Sequence, residues 1–91
     1  MSDVARTVLI INKRGLHARA SAKFVTMASG IGARVEVEKD GSKVVGTSIM
    51  GLMMLGAAMG DEITIRANGD GAEAAVTSLV ELVEAKFHEA E

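Results

Sequence analysis

The sequence lacks several residue types, and each absence excludes a class of protein. It contains no cysteine, which excludes disulfide bonds and thiolate metal sites. Its two histidines would need carboxylate partners to hold zinc, and no such spacing occurs, so we expect no metal and no cofactor. No apolar run reaches the ~18 residues that a membrane span needs. The first residues do not resemble a signal peptide, so we expect a cytoplasmic protein without membrane contact.

Aromatic residues and proline are also scarce. Phe24 and Phe87 are the only residues among Phe, Tyr and Trp, there is no proline, and ten glycines must interrupt the helices and strands instead. Single-stranded nucleic acids are bound by stacking on exposed aromatic side chains, and nucleic-acid domains are strongly basic. With two rings and a pI of about 5.7, this chain is not expected to bind nucleic acid. Its 91 residues suit one domain, spanning 1–91.

Acidic residues are absent from residues 4–35, although this stretch holds six of the ten basic residues. The rest of the chain carries twelve acidic and four basic residues, so the net charge of −2 conceals a strong separation of charge. Such a separation indicates an interaction face for an acidic partner. The alternative is that solvated charges fall this way by chance.

One run within this basic region, Gly15-Leu16-His17-Ala18-Arg19, places a histidine at the start of a predicted helix. The start of a helix has free backbone N–H groups and a partial positive charge, so the arginine is unfavourable there by roughly 0.3–1 kcal/mol. The arginine is easier to explain if the site regularly receives an anion. A histidine that carries a phosphoryl group would supply that anion.

Hydrophobic periodicity predicts strands over 6–11, 33–39, 42–45 and 62–67 and helices over 18–29, 49–55 and 72–87. Asp40-Gly41 is a hairpin turn signal. Because three of the four strands alternate apolar and polar residues, one face of the sheet meets water and the helices must cover the other. The sequence therefore predicts an α+β protein of order βαββαβα, an open-faced two-layer sandwich. Its four-stranded sheet is expected to be mainly antiparallel, with three helices on one face.

Two motifs identify a family. Residues 15–19 match the Gly-Leu/Met-His-x-Arg motif of HPr proteins, the phosphocarriers of the bacterial phosphoenolpyruvate-dependent phosphotransferase system. Ser48-Ile49-Met50-Gly51 matches their second motif, Ser-Ile/Leu-Met-Gly, and the resemblance covers nearly the whole chain. Ala20 replaces the family's usual proline, so we expect a looser helix start. Sugar-branch members tend to carry lysine where this chain has Thr26, Ser29 and Gly51, which favours the nitrogen-related branch.

The resemblance implies that His17 accepts a phosphoryl group from Enzyme I and passes it to a IIA-type protein. It also implies that Arg19 stabilises the phosphate and that the Nδ1 nitrogen of the imidazole is used. The chain would be a stoichiometric carrier rather than an enzyme by itself. A carrier that exposes one face to successive partners is most simply a monomer. We expect Lys13, Arg14 and Lys23 to contact partners and to raise the association rate.

The second motif has both a structural and a functional interpretation. Ser48 is a good N-cap for the short helix. By resemblance it is also a target of the HPr kinase/phosphorylase, and the added charge would hinder docking of an acidic partner. The apolar run after it is too long for a short helix to bury. We expect Met50, Leu52 and Leu55 in the core and a docking patch of Ile49, Met53 and Met54.

Two other functions stay open at this point. A regulatory HPr-like protein would dock to partners without carrying phosphate on histidine, although it would not need both His17 and Arg19. An unrelated ligand-binding or nucleic-acid domain of the same layout predicts a basic sheet face or exposed aromatics, and neither is visible. His88 is expected to be structural or incidental, near the end of the last helix.

Overall fold

Four antiparallel strands and three helices make up the computed structural model, which describes residues 3–90. The strands are β1 (Asp3–Leu9), β2 (Arg34–Lys39), β3 (Ser42–Val45) and β4 (Glu62–Asn68), in the sheet order β1-β4-β2-β3. The helices are α1 (Ala18–Ser29), α2 (Ile49–Met54) and α3 (Ala72–Glu84), followed by a C-terminal turn (Lys86–His88). The predicted open-faced sandwich and its order are confirmed, and the three strand pairs described are all antiparallel.

Alternation along the central strands separates the two faces of the sheet. Ile63, Ile65 and Ala67 of β4 are buried on the helix side. They face buried residues of the neighbouring strands, as in the pairs Val8↔Ile63 and Val37↔Ile65. The opposite face is polar; there the hydroxyl groups of Thr7 and Thr64 lie 2.9 Å apart. One apolar face therefore receives all three helices, as the alternation predicts.

The β2–β3 hairpin follows its sequence signal. Lys39 pairs with Ser42, which leaves Asp40 and Gly41 as a two-residue loop. Both loop residues have positive φ, 50° and 84°, as a type I′ turn requires. Asparagine, aspartate and glycine tolerate this conformation better than other residues, so the Asp-Gly pair fixes the register of the hairpin.

The hydrophobic core lies between the sheet and the helices. Both phenylalanines, Phe24 of α1 and Phe87 of the C-terminal turn, are completely buried in it. Within residues 3–90, none of the helices combines the length and apolar character needed to cross a bilayer. The same residues contain no cluster of three or more side chains suited to hold a metal ion.

Two elements, β1 and α3, differ from their predicted bounds by more than one residue, and β2, α2 and β4 differ by one residue at one end. β1 begins at Asp3 and ends at Leu9, because β4 extends to Asn68 and pairs with β1 along its whole length. α3 ends at Glu84 instead of Phe87. Beyond it the chain turns left-handed, with φ of 56° to 57° over residues 86–88, and the ring of Phe87 is buried in the core.

Candidate functional site

Gly15 fixes the loop that leads into α1. Its φ is +63°, and a Cβ atom at this position would lie 2.4 Å from the carbonyl oxygen of Ala57. Only glycine accommodates both the backbone conformation and the close approach. The next residue, Leu16, is buried and donates its N–H to the same Ala57 oxygen at 2.9 Å. The residue after it, His17, is therefore placed by a rigid contact with the segment that follows α2.

His17 is the N-cap residue of α1. Its backbone is extended (φ −72°, ψ −179°), and its carbonyl accepts the N–H of Ser21 at 2.9 Å. The imidazole bonds to Glu89 rather than capping the helix. The first-turn N–H groups of α1, together with the helix dipole, make this end of the helix favourable for a negative charge.

A basic cleft adjoins His17. Arg19 is exposed in the first turn of α1, and Lys13 and Arg14 are exposed on the loop before the helix. The cleft brings the predicted cations together with the end of the described chain, and its lining residues are Lys13, Arg14, Arg19, Lys23, His88, Glu89 and Ala90. Four of the six basic residues of the N-terminal region therefore line one cleft, and Glu89, which also lines it, bonds to His17.

The C-terminal turn folds back onto α1. Lys86, Phe87 and His88 are all left-handed, a conformation that costs about 1–2 kcal/mol for each non-glycine residue. Burial of Phe87 offsets this cost, and Lys23 donates from Nζ to the Phe87 carbonyl oxygen at 2.7 Å. Lys23 thus has a structural contact, and its predicted contact with partners stays a prediction. His88 lies exposed in this turn rather than in the last helix.

Two site residues, Asn12 and Glu89, were not predicted from the sequence. Glu89 Oε2 lies 2.5 Å from His17 Nε2, and Glu89 Oε1 accepts from Asn12 Nδ2 at 3.1 Å. Burial raises the pKa of the Glu89 carboxyl, but the hydrogen bonds from His17 and Asn12, with the nearby charge of Lys23, outweigh burial and lower the pKa below its ordinary value. No local pattern links residues 72 and 77 positions apart, so the sequence carried no signal for these contacts.

Ser48 caps α2 as predicted. Its Oγ accepts the N–H of Gly51 at 2.9 Å. Gly51 itself leaves little space for a side chain, because a Cβ atom there would lie 3.1 Å from both Ser48 Oγ and Val44 Cβ. The second motif therefore builds a tight first turn whose capping hydroxyl is half-buried.

An exposed apolar surface covers one side of α2. Leu52 and Leu55 are buried as predicted, but Met50 is 70% exposed, so its predicted place in the core is wrong. Met50 precedes the exposed Met53 and Met54 by three and four positions, and this spacing puts all three on one face of a six-residue helix. We call this surface the α2 patch; it consists of Ile49, Met50, Met53 and Met54. α2 packs against α1, the helix that begins at His17.

The sequence has clear relatives. The profile of the family described as "PTS HPr component phosphorylation site" matches residues 4–85. The phosphocarrier protein NPr of Shewanella violacea is 41% identical over 90 residues, 99% of each chain. The phosphocarrier protein HPr of Neisseria meningitidis serogroup A is 46% identical over 86 residues, 94% of this chain and 97% of that protein. The crystal structure of HPr-C-His from Thermoanaerobacter tengcongensis superposes with a TM-score of 0.89 at 46% identity, covering 100% of both chains. With its fold, both motifs and these relatives in agreement, the chain belongs to the HPr family of phosphotransferase-system phosphocarriers.

Proposed function

We propose that this protein carries a phosphoryl group on His17, which it accepts from phospho-Enzyme I and passes to a IIA-type protein. The observation that carries the proposal is the position of the imidazole, at the start of α1 and beside a cleft rich in cations. Membership in the HPr family supports the same assignment. The protein would act as a stoichiometric carrier, not as a multiple-turnover enzyme.

The chemistry of the site suits transfer in both directions. A phosphorus–nitrogen bond is labile enough for the group to be passed on, whereas a serine phosphate ester is not. Because Nε2 of His17 bonds to Glu89, Nδ1 is the nitrogen left for attack on phosphorus. The N–H groups of the first turn and the guanidinium of Arg19 supply the donors and positive charge that a phosphoryl group requires.

The direct test is the intact mass of the protein after incubation with cognate Enzyme I, magnesium and phosphoenolpyruvate. We expect a gain of one phosphoryl group that mild acid removes, and no gain when Enzyme I is omitted. If no cognate Enzyme I transfers a phosphoryl group, the carrier proposal fails. The regulatory docking protein would then be favoured, since it requires an exposed surface such as the α2 patch but no phosphoryl group on His17.

Arg19→Ala is expected to slow phosphoryl transfer about 100-fold, because the loss of one positioned donor to a developing anion typically costs 10²–10³ in rate. The effect should appear in the rate constant measured by quenched flow at saturating Enzyme I. Arg34→Ala removes the same charge from the exposed start of β2 and serves as the control. Equal rates for the two variants would exclude Arg19 from the phosphate site.

Ser48→Asp is expected to slow transfer from Enzyme I by roughly tenfold, since a negative charge beside the α2 patch opposes docking of an acidic partner. Aspartate also caps helices, so α2 should be retained and circular dichroism unchanged. Ser42→Asp adds the same charge at the turn end of the β2–β3 hairpin, outside the α2 patch, and should leave transfer unaffected. Unchanged transfer in Ser48→Asp would contradict an inhibitory role for phosphorylation by HPr kinase/phosphorylase.

The double substitution of Met53 and Met54 by Glu is expected to weaken binding of Enzyme I at least tenfold, about 1.4 kcal/mol. Both side chains are exposed, at 42% and 78%, and glutamate is a good helix former, so the fold should persist. Isothermal titration would measure the dissociation constant, with Met59→Glu, 58% exposed in the loop after α2, as the control. Loss of folding in the double variant would place these methionines in the core instead.

Further properties follow from the same proposal. The carrier would work in the cytoplasm as a monomer, with Lys13 and Arg14 guiding acidic partners to the cleft. Relatives named HPr and NPr share a similar range of identity with this chain, so its place in the nitrogen-related branch stays a prediction.

A further inference from the structure

A carboxylate from the end of the described chain reaches the proposed phosphoryl acceptor. Glu89 Oε2 is 2.5 Å from His17 Nε2, and only 14% and 11% of the His17 and Glu89 side chains are exposed. Glu89 lies beyond residues 4–85, the part of the chain that the family profile matches. This contact therefore adds a residue to the site that neither of the two motifs contains.

Asn12 holds the carboxylate in place. Its Nδ2 donates to Glu89 Oε1 at 3.1 Å and to the Gly15 carbonyl oxygen at 2.8 Å. Both partner oxygens accept hydrogen bonds, so the amide nitrogen of Asn12 must face them. This fixes the orientation of the amide group in the completely buried side chain. The Asn12 side chain therefore links the Glu89 carboxylate to the loop that positions His17.

The backbone also brings Glu89 to this position. Three consecutive residues before it, Lys86, Phe87 and His88, are left-handed although none is glycine. Such strain persists only where surrounding contacts determine it, and it clusters at functional sites. Here the buried ring of Phe87 and the hydrogen bond from Lys23 to the Phe87 carbonyl oxygen hold the turn closed.

We infer that Glu89 is a positioning residue for phosphoryl transfer: it holds the proton of His17 on Nε2 and so presents Nδ1 with a free lone pair. The inference rests on the proposed function of His17. An ionised carboxylate can only accept hydrogen bonds, so the nitrogen that faces it must carry the proton. Serine hydrolases use a buried aspartate in the same way to hold their histidine in one tautomer. The lowered pKa of Glu89 is consistent with an ionised carboxylate at neutral pH.

The transfer step balances with this arrangement. The lone pair of Nδ1 forms a bond to phosphorus, while the bond from phosphorus to the donor breaks and its electron pair stays on the donor. The Nε2 proton does not move, so the ring acquires positive charge as the new bond forms. Glu89 faces that charge across the Nε2–H hydrogen bond and stabilises it.

Glu89→Ala tests the inference in the full-length protein, with Glu84→Ala, an exposed acid on α3, as the matched control. Nitrogen-15 chemical shifts of the His17 ring, recorded with the imidazole neutral, report the tautomer directly. We expect wild type and Glu84→Ala to hold the Nε2–H tautomer and Glu89→Ala to populate both. Transfer from phospho-Enzyme I to Glu89→Ala should be roughly tenfold slower, within the range for outer partners that orient a functional histidine.

Glu89→Gln keeps an acceptor oxygen but loses the charge, so its tautomer should resemble wild type and its transfer rate should lie between those of wild type and Glu89→Ala. The inference is overturned if Glu89→Ala keeps the wild-type tautomer. It is also overturned if the tautomer changes while the rate equals that of Glu84→Ala. Failure of wild type to gain a phosphoryl group would instead refute the carrier function, and the tautomer measurement would distinguish the two failures.

Discussion

His17→Ala should abolish the acid-labile phosphoryl group, while His88→Ala should still acquire it. These are the only two histidines, so the pair of variants separates the candidates completely. His17 stands at the start of α1, where the first-turn N–H groups favour an anion, whereas His88 lies exposed at the end of the C-terminal turn. Intact mass before and after mild acid measures the outcome, because an acid-stable gain would indicate a phosphate ester such as one on Ser48.

The His17→Ala protein should remain folded. The imidazole contributes no capping bond to α1, and its contact with Glu89 lies at the end of the chain, outside the core. Circular dichroism and thermal unfolding would verify this before transfer is scored. An acid-labile phosphoryl group on folded His17→Ala would assign the carrier role to another nitrogen and contradict the proposed function.

The sheet and helices were predictable because their signals are local. Period-two alternation identified β4 and β2, and Asp40-Gly41 fixed the hairpin between β2 and β3. Ser48 was found because the Ser-to-helix boundary is encoded within four residues. In each case the residues that decide the structure are neighbours in the sequence, so composition and spacing were sufficient.

The wrong predictions concern places where contacts between residues far apart in the sequence determine the structure. The periodic pattern of α3 continues through Phe87, yet the chain leaves the helix after Glu84, because a left-handed turn lets Phe87 fill the core and Lys23 bind its carbonyl. Nothing in a segment without glycine signals such a turn. Met50 was assigned to the core on hydrophobicity alone, although a helix of six residues presents only one face to the protein.

The candidate site was predictable only in part, for the same reason. The motif identified His17 and Arg19 because the two are adjacent at one helix start. Glu89 reaches the imidazole of His17 across 72 positions and the amide of Asn12 across 77 positions, and the residue types alone give no sign of these contacts. Motifs therefore locate the reacting atom, while the fold supplies the groups that orient it.

Gly15→Ala should destabilise the protein by about 3 kcal/mol, the largest stability loss expected from so small a change. An alanine at φ +63° is strained by roughly 1–2 kcal/mol. Its Cβ would also lie 2.4 Å from the Ala57 oxygen and 2.9 Å from Ala58 Cα, so backbone must move, at a further cost of roughly 1–3 kcal/mol. Thermal unfolding should show a fall in Tm of more than about 10 °C.

Gly56→Ala provides a matched control for that prediction. Gly56 has nearly the same φ, +65°, but an added Cβ atom there meets nothing within 4 Å. Gly56→Ala should therefore lower the free energy of unfolding only by the cost of the backbone strain, roughly 1–2 kcal/mol. The difference in stability between the two variants then measures the clash with the Ala57 segment. Because that contact also positions Leu16 and His17, folded Gly15→Ala should transfer phosphate more slowly than folded Gly56→Ala. Equal stability of the two variants would show that the loop before His17 can move to accept a Cβ atom without a further loss of stability. The position of this loop would then not depend on Gly15.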